Sequence, residues 1–360
     1  MTEPQVNALP ATPEAITAGW LARVLDVPVE SVEVLERHSG TTGRALLRVV
    51  WGGGVQRPGR LFAKLPPPDA VQARMVSSTD MGRREARFYA GLAPGAPVRV
   101  PRAYWSGWGT EPSGYLILLE DLAGSGCDFP RGSDPAILDY VRMLMDELAR
   151  LHAHFHDWPL RFAARSPWVG PSMRNDWGRR LVQVGLETFR DEASREFAQL
   201  GELYVAHMEV CNELMDRGPH TLIHGDCHLG NLFRDRCNGD RPGFLDWACV
   251  AHGPGLRDVA YFLCNSIAPE LRRREERALL ERYRAGLAAG GVAVPPFEET
   301  WRDYRLLALA SWVSATATAA VGGRMQPLRI GLRAIERTTA AAQDLGTLSL
   351  LRAELGNPAV

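Results

Sequence analysis

Residues 222–248, LIHGDCHLGNLFRDRCNGDRPGFLDWA, hold the densest polar chemistry of the 360-residue chain. A short apolar run leads into His224-Gly225-Asp226, Asn231 stands five residues beyond the aspartate, and a second apolar run leads to Asp246. An aspartate in the first position can accept a proton from an attacking hydroxyl and orient it. Asn231, one loop turn later, offers a neutral amide oxygen to a divalent cation, and Asp246 offers a carboxylate from the rigid end of a strand. Magnesium keeps several waters and takes few protein ligands besides phosphate oxygens, so two oxygen ligands suffice. Capping would explain either aspartate alone; two at apolar strand ends 20 residues apart, with Asn231 between them, point to catalysis.

These residues need elements to hold them. VEVLERH (32–38), RALLRVVW (44–51) and RLFAKL (60–65) are short, rich in β-branched or apolar residues and separated by Gly or Pro clusters, which predicts an antiparallel meander. A helix is expected over 80–92, then strands over 102–108 and 114–122. The Gly/Ser/Pro-rich AGSGCDFPRGSDP reads as a connector, dividing a strand-rich part, 1–121, from a helical part, 122–360. In the latter, helices are expected at 135–157, 173–190, 192–216, 256–267, 269–290 and 298–320. Thr12-Pro13-Glu14 has the form of a helix start.

HGDCHLGNLF followed by GFLDWACVAHGPGLRDVAYFL resembles the aminoglycoside phosphotransferase and choline kinase-like superfamily, most closely its ecdysteroid kinase-like branch, over roughly residues 30–330. The resemblance implies an α+β, two-lobed protein kinase-like fold, with a small antiparallel-sheet N-lobe carrying one helix and a larger helical C-lobe. It implies a kinase using ATP and Mg²⁺, with Asp226 as catalytic base, Asn231 and Asp246 as metal ligands, and Asp258 as a structural brace of the catalytic loop. In such folds a lysine on the third strand binds phosphates and pairs with a glutamate on the next helix. Lys64, the only lysine among 41 basic residues, and Glu85 stand at those places. A compact ammonium fits where a wide guanidinium fork does not. The phosphate loop is expected at Ser39, Gly40, Thr41, Thr42 and Gly43, which departs from G-x-G-x-x-G, and backbone near Glu120 and Leu122 is expected to face the adenine.

With 41 basic and 42 acidic residues the chain offers no bulk charge for nucleic acid or an anionic membrane. The uncharged run 306–323 holds Ser/Thr and Gly-Gly, and suits a buried helix better than a span. No secretory signal is evident, and the six cysteines lack C-x₂-C spacing, which predicts free thiols in a cytoplasmic protein without zinc. His152, His154 and His156 alternate along a helix and so face different ways.

Six residues separate Asp246 from the GPGLRD helix start, too few for the activation segment that docks peptides. The expected acceptor is therefore a small-molecule alcohol. Residues 160–216 carry nine acidic and seven basic residues and six aromatics (Phe162, Trp168, Trp177, Phe189, Phe197, Tyr204), to which Trp301, Tyr304 and Trp312 add. That balance leans toward a neutral, partly apolar alcohol; an aminoglycoside phosphotransferase, or a nucleotide-binding module without turnover, are the alternatives. Oligomeric state is not legible.

Overall fold

The computed structural model describes residues 9–110, 114–172, 176–189, 194–322 and 327–356. Packing divides the described chain into two units: one runs through Phe129 and takes in Phe233–Cys249, the other comprises Pro130–Leu232 and the chain from Val250 onward. The architecture is α+β and two-lobed.

In the first unit, β1 (Val29–Ser39), β2 (Gly43–Trp51), β3 (Arg60–Leu65), β4 (Ala103–Trp108) and β5 (Tyr115–Glu120) form one antiparallel sheet in the order β1-β2-β3-β5-β4. Alternation along the strands sends Ala45, Leu47, Val49, Leu61, Ala63 and Leu65 to one face, where they pack with Trp20 and Leu21 of α1 (Ala18–Leu25). Thr12 does not start that helix. Pro13–Ala15 is a single tight turn, and the cap is Thr17, whose hydroxyl accepts from the Trp20 N–H at 3.2 Å.

Phe62 and Lys64 must then face the opposite side of β3, toward the helix expected at 80–92. That segment is α-helical only over Met81–Arg87 and ends in a π-type turn, Phe88–Leu92. A further helix, Ala70–Ser78, precedes it, capped by the Asp69 carboxylate. Numbered in chain order, these are α2 (Ala70–Ser78) and α3 (Met81–Arg87). Gly82 lets α3 approach the sheet, since a Cβ there would lie 2.0 Å from the Tyr115 ring. Ser106 donates to the Ala86 carbonyl at 2.7 Å and Tyr115 to that of Leu65 at 3.0 Å, fixing α3 and the end of β3 to the sheet. A small sheet of β6 (Cys127–Asp128), β8 (Leu232–Asp235) and β9 (Arg241–Phe244) carries the chain to Asp246; β7 lies in the other unit.

The second unit is helical apart from β7 (His220–Ile223) paired antiparallel with β10 (Ala251–Pro254). Its helices are α4 (Ile137–His154), α5 (Trp158–Arg161), α6 (Asp176–Thr188), α7 (Arg195–Ala206), α8 (Met208–Met215), α9 (Leu256–Ser266), α10 (Pro269–Ala289), α11 (Phe297–Ala320), α12 (Leu328–Asp344) and α13 (Thr347–Leu355). The single helix expected over 192–216 is broken at His207, whose φ of −131° leaves the helical region. The uncharged run lies in α11 as far as Ala320, with Leu307, Leu309, Trp312 and Ala315 buried in the core. Among the described residues no helix is long and apolar enough to cross a membrane.

Candidate functional site

Lys64 on β3 and Glu85 on α3 meet in the interior of the first unit, 4% and 0% exposed. The Lys64 ammonium donates to Glu85 Oε1 at 2.7 Å and lies 2.6 Å from Oε2 and 3.2 Å from Asp246 Oδ1, so three carboxylate oxygens surround its charge. Burial alone would lower the Lys64 pKa, but Asp246 and Glu85 outweigh it and hold the value above the ordinary one. Burial pushes Glu85 upward, against the pull of Lys64. The Trp247 backbone N–H donates to Glu85 Oε1 at 3.2 Å, and the Trp247 ring stacks on Phe88 with centroids 4.0 Å apart, so the residue after Asp246 is anchored to α3. Asp246 itself has a φ of +63°, a left-handed conformation that an aspartate adopts at a cost and that surrounding packing must hold.

Beside this cluster, Gly40, Thr41 and Thr42 form the turn between β1 and β2, with Ser39 paired to Gly43. Arg44 pairs with Lys64 and Gly43 with Leu65, so the turn stands at the Lys64 end of the sheet. Thr42 is buried, and a Cβ at Gly43 would meet the Pro66 carbonyl at 2.6 Å. Close strand packing is therefore one reason for that glycine. At the end of β5, the Glu120 N–H donates to the Arg102 carbonyl, and the Leu122 carbonyl accepts from Ser125 and Cys127. The Glu120 carboxylate binds Arg99 at 2.6 Å, and Arg99 also holds Asp235 at 2.8 Å across the Phe233 ring, a tie between β5 and β8 that the sequence reading does not include.

In the second unit the catalytic-loop candidates form a separate network. Asp226 Oδ1 accepts from Tyr261 Oη at 2.9 Å; Oδ2 accepts from Asn231 Nδ2 at 2.9 Å and faces His228 Nε2 at 3.6 Å. Burial works to raise the Asp226 pKa, but His228, His224 and Tyr261 together bring it down to about 2, so the carboxylate is ionised at neutral pH. Gly225 takes a φ of +79°, which turns the backbone so that Asp226 and Asn231 come together. Asp258, buried on α9, accepts the backbone N–H groups of His224 at 2.6 Å and Gly225 at 3.0 Å. His152 stands between Asp258, at 3.4 Å, and the Tyr283 hydroxyl, at 2.9 Å. Asp258 and His152 thus brace the loop.

Asn231 Nδ2 faces two acceptors, the Asp226 carbonyl at 3.0 Å and its carboxylate. Only the amide NH₂ can face them, which leaves the Asn231 oxygen as the atom that can take a cation. Asn231 in the second unit and Asp246 in the first each offer oxygen, the donor type that suits Mg²⁺. Among the described residues no group of three or more His, Cys, Asp or Glu converges as a metal site, and none of the six cysteines forms a disulfide. Tyr261 and His228 are absent from the sequence-derived site. Tyr261 could have been found: it follows Asp258 by three residues on α9, so the two share a helix face.

A model of a phosphotransferase enzyme family matches residues 33–306. An uncharacterized kinase-like protein of Caenorhabditis elegans is 24% identical over 277 residues, covering 68% of this chain and 70% of that protein. Among solved structures, the GDP and kanamycin complex of APH(2″)-IIia superposes with a TM-score of 0.56 at 15% identity, covering 90% of this chain and 97% of that one. A choline kinase of Cryptosporidium parvum gives a TM-score of 0.56 at 11% identity, covering 90% and 93%. At these identities the structures show a shared fold.

Proposed function

Because the chain belongs to the phosphotransferase enzyme family, whose model spans residues 33–306, we propose that it transfers the γ-phosphoryl group of ATP, with Mg²⁺, to a hydroxyl of a small molecule. The observation that carries this reading is the buried Lys64 ammonium held between Glu85 and Asp246. A lysine buried this deeply serves a charged partner, and in a phosphotransferase that partner is nucleotide phosphate. Mg²⁺, when bound, would neutralise phosphate charge; Asp246 and the Asn231 amide oxygen would hold it. The β1–β2 turn, Ser39 to Gly43, would lie over the phosphates. Since the Glu120 N–H and the Leu122 carbonyl are engaged, contact with the base falls to the Glu120 carbonyl and the Leu122 N–H.

Asp226 would receive the acceptor hydroxyl. With a pKa of about 2 it is a weak base, and in a loose phosphoryl-transfer transition state its contribution is chiefly to orient the hydroxyl and take its proton late. Tyr261 and Asn231 hold the carboxylate in place, and Asp258 fixes the backbone before it. The short path from Asp246 to α9 is folded as a tight turn, Trp247–Cys249, and then β10, which supports a small-molecule acceptor over a peptide.

The neutral, apolar acceptor has lost its main support. Phe189, Phe197, Tyr204, Tyr304 and Trp312 are core residues of the second unit, so more than half of the aromatic count describes packing, not a pocket wall. The aminoglycoside alternative is better supported, since one solved structure of like fold contains kanamycin. A screen of purified protein for ADP release, across kanamycin-type aminoglycosides, choline and neutral alcohols, tests both levels. Acceptor-stimulated release that Lys64→Arg and Asp226→Asn abolish is the expected result. Mg²⁺-ATP binding with no stimulation by any acceptor would favour a binding module, and no nucleotide binding would overturn the proposal.

A further inference from the structure

A pocket of about 120 Å³ opens in the second unit between α4, α10, α11 and the segment joining the last two. Its walls are largely apolar, with Leu287, Val292, Val294 and Leu307 contributing. Thr300 also lines it, 5% exposed, with its hydroxyl paired to nothing among the described residues. The same holds for Nε of Arg284, whose other nitrogens bind Glu281 and the Pro295 carbonyl. A buried polar atom without a partner costs about 1–3 kcal/mol, and two such atoms belong to residues that line this pocket. Both can donate, and Arg284 Nε can only donate, so the group that answers them is an acceptor oxygen. Arg217 and Arg284 against Asp303 give the lining charges of both signs, which favours a neutral ligand.

The remaining wall belongs to the brace of the catalytic loop. His152, Gly255 and Tyr283 line the pocket, and His152 reaches both Tyr283 and Asp258, which holds the His224 and Gly225 N–H groups. A Cβ at Gly255 would fall 2.7 Å from His152 Nδ1 and from the Tyr283 hydroxyl, so the wall has no slack.

We propose that this pocket binds a small neutral molecule, apolar except for one carbonyl-type oxygen held by Thr300, and that its occupant shifts the catalytic loop through Tyr283, His152 and Asp258. An apolar cavity of about 150 Å³ takes benzene, so a single ring is about the size limit. The consequence for turnover rests on the phosphotransferase reading; the binding does not.

Cyclohexanone is a suitable probe, because it has no hydroxyl and cannot be a phosphoryl acceptor. In the full-length chain it should show saturable binding by ligand-observed NMR. Thr300→Val should weaken it by about tenfold, the scale of one hydrogen bond, while methylcyclohexane should bind the variant no more weakly than the wild type. Val294→Trp, on the half-buried segment between α10 and α11, should remove binding of both without moving the melting temperature. With glycine ¹⁵N-labelled, saturating cyclohexanone should shift the Gly225 amide. No saturable binding, or binding undiminished by either substitution, would overturn the site; binding that leaves the Gly225 amide unmoved would overturn its link to the loop. None of these readouts needs turnover, so a failed acceptor screen and a failed pocket are distinguishable.

Discussion

Among the described residues, replacing Lys64 with methionine removes the cation facing Glu85 and leaves that carboxylate fully buried with the Trp247 N–H as its remaining partner. Were the charge to stay, the cost would be about 3–5 kcal/mol, the usual effect of breaking a buried ion pair from one side. Glu85 has another course, which is to take a proton. Burial already raises its folded pKa from 4.5 to about 7 with Lys64 opposing the rise. A carboxyl whose folded pKa lies above its unfolded one binds more protons folded than unfolded between the two values, so stability is lost as pH rises through that window. In the wild type the window closes near pH 7. Without Lys64 the opposing pull is gone and the window extends upward. Between pH 7 and 9, urea midpoints followed by tryptophan fluorescence should show no slope from Glu85 in the wild type, only the loss toward pH 9 that the raised thiols of Cys127, Cys211, Cys227 and Cys264 bring to wild type and variants alike. Lys64 does not disturb that expectation, since its pKa is raised above 10.5 and its contribution is lost only at higher pH. Lys64→Met should lose up to about 1.4 kcal/mol per pH unit over the same range. Adding Glu85→Gln keeps an acceptor for the Trp247 N–H and should return the profile to the wild-type slope. Parallel profiles for wild type and Lys64→Met would refute the reasoning, because Glu85 would then not be the group that titrates.

Asp226→Asn should abolish phosphoryl transfer while leaving nucleotide affinity by calorimetry within a few-fold, because the carboxylate is proposed to act on the acceptor; turnover close to wild type would remove it from the mechanism. Asp246→Ala should weaken Mg²⁺-ATP binding itself, and unchanged affinity would show that Asp246 is not a metal ligand. Tyr261→Phe should lower kcat by about tenfold, the loss of one hydrogen bond to a charged group, with nucleotide KM unchanged. Tyr261 helps hold the Asp226 pKa at about 2, so the acid limb of the kcat profile should also move to higher pH; a limb that stays in place would make Tyr261 a packing residue only.

Much of the site is legible because chemistry fixes residue type at fixed spacing. Asp226, Asn231 and Asp246 stand out in sequence for that reason, and so does a lone lysine on the third strand with a glutamate on the next helix. The strands are legible too, since Gly and Pro clusters punctuate them. Other features leave weaker traces. Over α2 the apolar residues form no clear stripe, so no periodicity marks it. The break at His207 is set by backbone conformation at one residue without Gly or Pro. The aromatics of 160–216 mislead because a helix face that packs a core and one that lines a pocket have the same composition; only burial separates Phe197 from the half-exposed Trp177.

The three contacts at Lys64 also bear on why this position is a lysine. Its ammonium presents three donors from one nitrogen, and two oxygens of Glu85 and one of Asp246 converge on that point. A guanidinium spreads its donors over a planar fork and cannot bring them to a point, so the charge alone would not reproduce the cluster. Glu85 Oε1 takes one donor in a hydrogen bond and Asp246 lies at 3.2 Å, so a phosphate oxygen arriving at Lys64 would compete with these two carboxylates. Glu85 is fully buried and doubly engaged, whereas Asp246 makes the longest contact and a third of its side chain is exposed. On the proposed phosphotransferase reading Asp246 would be the partner that gives way, and yielding Lys64 to phosphate would also free its carboxylate oxygen for a cation. The left-handed backbone at Asp246, with its φ of +63°, sits at the residue that would make this exchange.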